Sequence, residues 1–436
     1  MRVIVSFLLL AFLPWAPRVS MAVETAPDSL TMEQAVQLTL SSHPAVTRAL
    51  MGVTAAEARV EAGRSAYYPE ISVSSAYSRI GPVPSIEMAN RPDMKIYPEN
   101  SYDVHLGLRQ TLYDFGRTSA SVEAARSGRQ AALDNVEQVR SYLAYRTMSV
   151  FNSILILRRS VAVVDEQVEA LNQHLEVTRK RVQAGSATDF DALTTQVRIA
   201  AARNEKIDAA NSLEAQEILL RQLAGLPADR RVLLKGDFSG VTVALGPDSL
   251  LSAAFRQRPE MAVSRDAENS ASTRLRLSSL GKKPSLALSV TSGLKNGFAP
   301  ELDEMKANFY AGLQLEAPIL DGHRTHSQVL EAEANLLAAK ASTQDLRRQI
   351  VADVEQATAA AMASMQKIDN TELLVRQAEE AVSVARTRYQ AGVATNLDVL
   401  DAQTTLTQAK LNHLRALYDY AASLIAVDRA TGRKTW

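Results

Sequence analysis

Leu112-Tyr113-Asp114-Phe115-Gly116-Arg117 and Arg181-Val182-Gln183-Ala184-Gly185-Ser186-Ala187-Thr188 decide how this chain folds, because each returns later in altered form. Leu320-Asp321-Gly322-His323-Arg324 answers the first, and Arg388-Tyr389-Gln390-Ala391-Gly392-Val393-Ala394-Thr395 answers the second. Arg117 and Arg324 lie 207 positions apart, as do Arg181 and Arg388, so the segment between the motifs has one fixed length in both halves. His43-Pro44 and Arg258-Pro259 are instead 215 apart, and so are Tyr68-Pro69 and Lys283-Pro284. The extra residues must fall between Pro69 and Tyr113, which marks a loop that tolerates insertion. A duplicated unit this long points to one pseudo-symmetric body with an internal two-fold repeat, not to independent domains.

From Arg117 to Gln183 there is no proline and no glycine pair, and from Arg324 to Gln390 neither residue occurs. Each segment reads as a single helix that would span about 100 Å. In the first, Val150, Ile154, Leu157, Val161, Val164, Val168, Leu171, Leu175, Thr178 and Val182 keep an unbroken four-three spacing, a heptad seam that packs against a partner helix. Each Ala-Gly turn is followed by a return helix, Asp189 to Ala224 and Asn396 to Ala430, giving two antiparallel hairpins. A helix from Pro44 to Tyr67, opened by its proline, is expected to stack end to end with the shorter return helix.

Four segments break the helical rule. Ile71, Val73, Ser75 and Tyr77 alternate with polar or small residues, as do Val104, Leu106 and Leu108. Leu286, Leu288 and Val290 repeat the pattern, and so do Phe309, Ala311, Leu313 and Leu315. Runs of this kind suit tilted membrane strands in two hairpins, with loops near 80–101 and 293–307. Four strands cannot close a barrel and open edges are not tolerated in hydrocarbon, so the chain must associate with copies of itself. Two copies give eight strands and a lumen filled by side chains; three give twelve and room for a channel.

Residues 1–22 read as a secretory leader: Arg2 supplies the positive start, Val3 to Phe12 the apolar run and Ser20-Met21-Ala22 a small-residue cleavage pattern, with a short membrane anchor as the other reading. Beyond it no uninterrupted apolar run of spanning length is expected. There is no cysteine, which excludes disulfides, thiolate metal sites and a lipidated N-terminal cysteine. The 48 basic and 48 acidic residues balance, so no nucleic-acid partner is expected. His323 and His326 have no evident third ligand, and no P-loop, dinucleotide fingerprint or nucleophile elbow occurs, so neither a metal site, a cofactor nor a catalytic residue is expected. The expected organisation is 23–67 an N-terminal segment and helix, 68–113 a first β-hairpin, 114–224 a first helical hairpin, and 225–258 an equatorial linker. It continues with 259–282 a helix, 283–320 a second β-hairpin, 321–431 a second helical hairpin and 432–436 a tail.

With these features the chain resembles the TolC-like outer-membrane factors, the exit ducts of bacterial efflux pumps and type I secretion systems. The resemblance rests on the duplicated strand-strand-helix plan, on Leu112 to Arg117 where strand passes into helix, and on Arg-x-x-x-Gly-x-x-Thr-x-x-Asp at Arg181 and at Arg388. It implies a homotrimer in the outer membrane, with a twelve-stranded β-barrel and a twelve-helix α-barrel that crosses the periplasm. A belt of mixed structure would be formed by 225–246, the next short helix and the chain ends. It also implies a periplasmic adaptor docked at the helical tips and an inner-membrane transporter beyond it.

Turn residues Gly185, Ser186, Ala187, Gly392, Val393 and Ala394, with Arg181 and Arg388, match the family's adaptor-docking tips, while a glycine C-cap followed by a helix start requires the same glycines regardless. Asp398 and Asp401 match positions that line the family's periplasmic constriction, where rings of aspartate would favour cations. Thr395-x-x-Asp398 is equally a capping box, whereas Asp401 has Thr194 as its repeat partner and no such explanation. Tyr389 matches a position that restrains the closed tip, and the arginine that family members place two residues after the turn glycine is Ala394 here. The competing readings are a coiled-coil scaffold or surface fibre in the periplasm, to which heptads alone fit equally well, and a metal-dependent helical-bundle enzyme.

Overall fold

The computed structural model describes residues 29–88, 91–227, 233–236 and 247–436. The expected leader, and 228–232 and 237–246 of the expected belt, lie outside the described residues. Both long helices run as the punctuation dictates: α3 spans Arg117–Gln183 and α7 Arg324–Gln390, 67 residues each. Their return partners are α4, Asp189–Ala224, and α8, Asn396–Thr431. Of the seam on α3, Val150, Ile154, Val164, Leu171, Leu175 and Thr178 are buried and the other four positions are half-buried.

Two shorter helices complete the wall. Helix α2, Pro44–Arg64, and its counterpart α6, Pro259–Ser279, each start on a proline and end in a 3-10 turn, Ser65–Tyr67 and Leu280–Lys282. Helices α2 and α4 lie along one flank of α3, α6 and α8 along the other, and α7 packs beyond them. The helices thus form one layer of four rods, two continuous and two made of stacked halves. At the first junction Ser42 Oγ donates to the Ala224 carbonyl at 2.9 Å, and Gly225 takes φ +66°. At the second Gly432 takes φ +73°, and a Cβ there would lie 2.7 Å from the Arg258 backbone nitrogen.

An element the sequence reading missed is α1, Met32–Ser42, which packs on α3 and α4. Its signal was present as a capping box, in which Thr31 and Gln34 bond reciprocally. Strand β1, Ser29–Leu30, pairs in parallel with β6, Leu233–Leu234, and α5, Pro247–Gln257, packs on α7 and α8. These pieces form the described part of the expected belt. One expectation needs correction: α3 contains a window long and apolar enough to cross a membrane. The apolar character has a packing cause, since Leu143, Val150, Phe151, Ile154 and Leu155 of α3 build one core with Ala35, Val46, Leu220 and Leu223.

The strands β2 (Glu70–Arg79), β5 (Asn100–Tyr113), β7 (Ser285–Lys295) and β8 (Lys306–Glu316) form one antiparallel sheet in that order. Register places the predicted apolar stripes on a single face, with Ile71, Leu108, Val290 and Ala311 in one row and Val73, Leu106, Ser292 and Phe309 in the next. Val73 is 74% and Phe309 82% exposed, so this face is apolar and uncovered. The other face carries Ser74, His105, Gly293 and Asn308 in one row. His105 Nε2 reaches Asn308 Oδ1 at 2.9 Å across β7, and only a glycine leaves room there, because a Cβ on Gly293 would collide with the Val104 carbonyl and lie 2.9 Å from His105 Cδ2. The long loop expected between β2 and β5 carries a small hairpin of its own, β3 (Ser85–Met88) with β4 (Arg91–Lys95). Tyr67, Tyr68 and Tyr113 stand exposed where sheet meets helices, as aromatic side chains do at a membrane–water boundary.

Two outcomes follow for stability. Gly432→Ala should lower the thermal midpoint of helical circular dichroism by the equivalent of more than about 1 kcal/mol, because it combines a positive φ with a backbone clash. Asp266 on α6 is buried, and burial together with a hydrogen bond to Asp134 of α3 pushes its carboxyl up to about 6. A raised folded-state value means that its stabilisation is full at low pH and is lost as pH rises through that value. Asp266→Asn should therefore raise the midpoint at about pH 8 and leave it unchanged at about pH 4.5, flattening the pH profile.

Candidate functional site

The two helical hairpins end side by side at tips built by the same local chemistry. Gly185 and Gly392 take φ +72° and +79°. Around them Ser186 N donates to Arg181 O at 2.8 Å and Gly185 N to Val182 O at 2.9 Å, and the second tip repeats the pattern with Val393, Arg388, Gly392 and Tyr389. These are Schellman closures, which a side chain at C′ would strain. The return helices open on reciprocal caps: Thr188 N donates to Asp191 Oδ2 at 2.9 Å, and Thr395 N to Asp398 Oδ2 at 2.7 Å. Backbone and side-chain hydrogen bonds from Thr395 hold the Asp398 carboxyl below its ordinary value.

Beneath the turns lies a buried polar cluster that ties one hairpin to the other. Tyr389 of α7 is 5% exposed, its hydroxyl donates to Thr178 Oγ1 at 3.4 Å, and its ring sits 5.1 Å from that of His174. The Arg181 guanidinium stacks 4.6 Å from the Tyr389 ring centre and donates to the Tyr389 carbonyl. His174 Nε2 meets Asn396 Oδ1 at 2.7 Å, and Asn396 Nδ2 donates to the Asp191 carbonyl at 3.0 Å and to Thr195 Oγ1 at 3.3 Å. All four long helices therefore contribute. Burial pushes the His174 imidazole below its ordinary value, its bond to Asn396 opposes that, and nearby Arg386 adds to it.

The residues expected at the tip separate into three groups. Gly185, Ser186, Gly392, Val393 and Arg388 are exposed, with Ala187 and Ala394 half-buried, so the turns present a free surface. Arg181 instead turns inward onto Tyr389. Asp398 and Asp401 are exposed on α8 and are not brought against Tyr389. Asp401 lies 3.5 Å from Arg198 of α4. Sequence reasoning missed His174 and Asn396, which are 222 positions apart and carry no local signature.

The sequence model of the family described as "Outer membrane efflux protein" matches residues 35–226 and 250–433. Among curated relatives, the outer membrane protein TolC of Vibrio cholerae is 24% identical over 383 residues, covering 86% of this chain and 84% of its own length. The alkaline protease secretion protein AprF of Pseudomonas aeruginosa is 26% identical over 328 residues, covering 74% and 67%. Among solved structures, the outer membrane protein VceC of Vibrio cholerae superposes with a TM-score of 0.79 at 20% identity, covering 92% of this chain and 96% of that one, which shows a shared fold. The duplicated hairpins, the four-stranded sheet with its apolar face and the family match across both repeats converge: the chain belongs to the outer membrane efflux protein family and is an outer-membrane protein of TolC-like fold.

Proposed function

We propose that three copies of this chain assemble into a passive exit duct, a twelve-stranded barrel in the outer membrane continued by a twelve-helix tunnel into the periplasm. Within one copy β2 and β8 each have a single neighbour, so their outer edges present unpaired backbone groups beside an apolar face. In hydrocarbon each such group costs several kcal/mol, and pairing β8 of one copy with β2 of the next removes the cost around the ring.

The repeat supplies the observation that carries this reading. Arg117 Nη2, at the start of α3, donates to the carbonyls of Leu280, Gly281 and Lys283 at 3.1, 3.3 and 3.2 Å, gripping the turn between α6 and β7. Its counterpart Arg324, at the start of α7, is exposed and grips no turn among the described residues. The matching turn, Ser65 to Tyr68, lies at the far flank of the protomer, where only the α7 of a neighbouring copy would stand beside it. A scaffold of heptad helices would explain neither the apolar sheet face nor this unfilled half of a repeated contact.

In the duct, the tips would meet a periplasmic adaptor through Ser186 and Val393, and energy would come from an inner-membrane transporter. The buried cluster around Tyr389 would hold the tips closed, and opening would swing α7 and α8 away from α3. AprF is named for protease secretion, which fits a duct whose cargo is chosen by its partners.

Arg324→Ala should lower the melting temperature of the heat-modifiable oligomer while the helical spectrum is retained; recovery of the wild-type chain only as a soluble monomer would overturn the proposal. Purified oligomer should conduct in planar bilayers. Tyr389→Phe removes one bond worth about 1 kcal/mol, shifting the open-to-closed ratio about fivefold, and Asn396→Ala, which removes the bonds to His174, the Asp191 carbonyl and Thr195, should shift it further; both should raise mean conductance. The depressed His174 value means that its stabilisation is full above the unfolded value near about 6.5 and is lost as pH falls through the folded one. Acidification should open the tips, and His174→Gln should abolish that response. Since the chain has no other thiol, crosslinkers on Ser186→Cys and Val393→Cys would capture the adaptor, identified by mass spectrometry.

A further inference from the structure

Where α3, α7 and α8 run side by side at the level of α5, they enclose an open cavity of about 680 Å³. Arg146 of α3, Arg429 of α8 and Arg258 at the start of α6 line it against a single carboxylate, Asp353 of α7. Arg258 is committed to that carboxylate at 2.8 Å and to Glu260. Arg146 and Arg429 are exposed and make no ion pair among the described residues; Arg146 donates to the Tyr142 hydroxyl at 3.1 Å.

The cavity opens on the face of the wall opposite the belt. Helix α1 covers Ala144 and Met148 of α3, and α5 covers Val354 of α7 and Val427 of α8, whereas Arg146, Ser149, Gln356, Ala422 and Arg429 point the other way. In the proposed tunnel that side is the bore. The repeat acts as an internal control on whether the fold itself needs these cations. The counterpart of Arg146 is Asp353, and that of Arg429 is Gln222, so the same wall is built elsewhere without arginine. Apolar surface from Val150, Ile425 and several alanines, with the Tyr142 ring, lines the rest.

We infer that this cavity is a binding station for organic anions, in which a carboxylate or related oxyanion is held by Arg146 and Arg429 while an aromatic or alicyclic body rests on Tyr142 and the apolar wall. Guanidinium groups suit this role because their planar fork matches a carboxylate and they remain charged at any working pH. The inference rests on the duct reading for its place in the bore, and it adds to that reading a chemical class of cargo that would pause at the equator.

The test compares 1-naphthoate with its uncharged isostere 1-naphthamide by equilibrium dialysis against the purified oligomer in amphipol. Wild-type protein should bind the anion about tenfold more tightly than the amide, the worth of one charge-assisted hydrogen bond. R146Q/R429Q should bind the two probes alike while keeping its heat-modifiable oligomer and its helical spectrum. Equal binding by wild type, or an anion preference that survives in the double variant, would overturn the inference. Conductance in planar bilayers separates it from the duct reading: a conducting oligomer without anion preference sinks only the station, and a non-conducting oligomer sinks the duct whatever the probes show.

Discussion

Unpaired strand edges in a solvent without hydrogen bonds set the terms for everything else in this molecule. A sheet of four strands with an apolar face belongs in hydrocarbon, yet its first and last strands leave backbone groups that nothing among the described residues satisfies. In the proposed trimer the duplicated architecture would resolve this by geometry. Because the halves are near copies, the interface between them inside one chain, β5 on β7 and α3 on α6, would be the template for the interface between chains in the proposed trimer. Arg117 shows what the junction looks like when both sides are present, and Arg324 shows one side of it.

The equal length of α3 and α7 has the same origin. The closed wall of the proposed tunnel would have to reach one level at the tips, so neither long helix could gain or lose a turn alone. The shorter helices meet this length in halves, with Gly225 and Gly432 at the joints, where a positive φ ends one rod and the next approaches closely, through the Ser42 side chain at Gly225 and the Gln257 and Arg258 backbone at Gly432. The insertion that separates the two repeat offsets sits instead beyond the sheet, in the segment holding β3 and β4, where extra residues disturb no packed layer.

At the tips two requirements are met by separate groups. The Schellman turns and capping boxes are self-contained and leave the surface of the loops free. Contacts between the hairpins run from Arg181, His174 and Thr178 on one side to Tyr389 and Asn396 on the other. Such contacts are few and polar, and each is costly to leave unmade.

The helix limits, the turn glycines, the caps at Thr188 and Thr395, the four alternating strands and the repeat were all legible in the residues themselves. Their causes act within a few positions: proline and glycine end helices, heptads mark seams, and period-two alternation marks a two-faced strand. Even α1 was announced locally, by Thr31 and Gln34. What the linear order could not show is which distant residues meet. His174 with Asn396, Arg117 with the turn at Leu280, the His105–Asn308 bridge over Gly293, and the arginines around one cavity between α3, α7 and α8 all join segments far apart in the chain. Those meetings exist only once the rods are laid side by side, because contact between helices depends on their rotation and height in the finished wall, which no local pattern encodes.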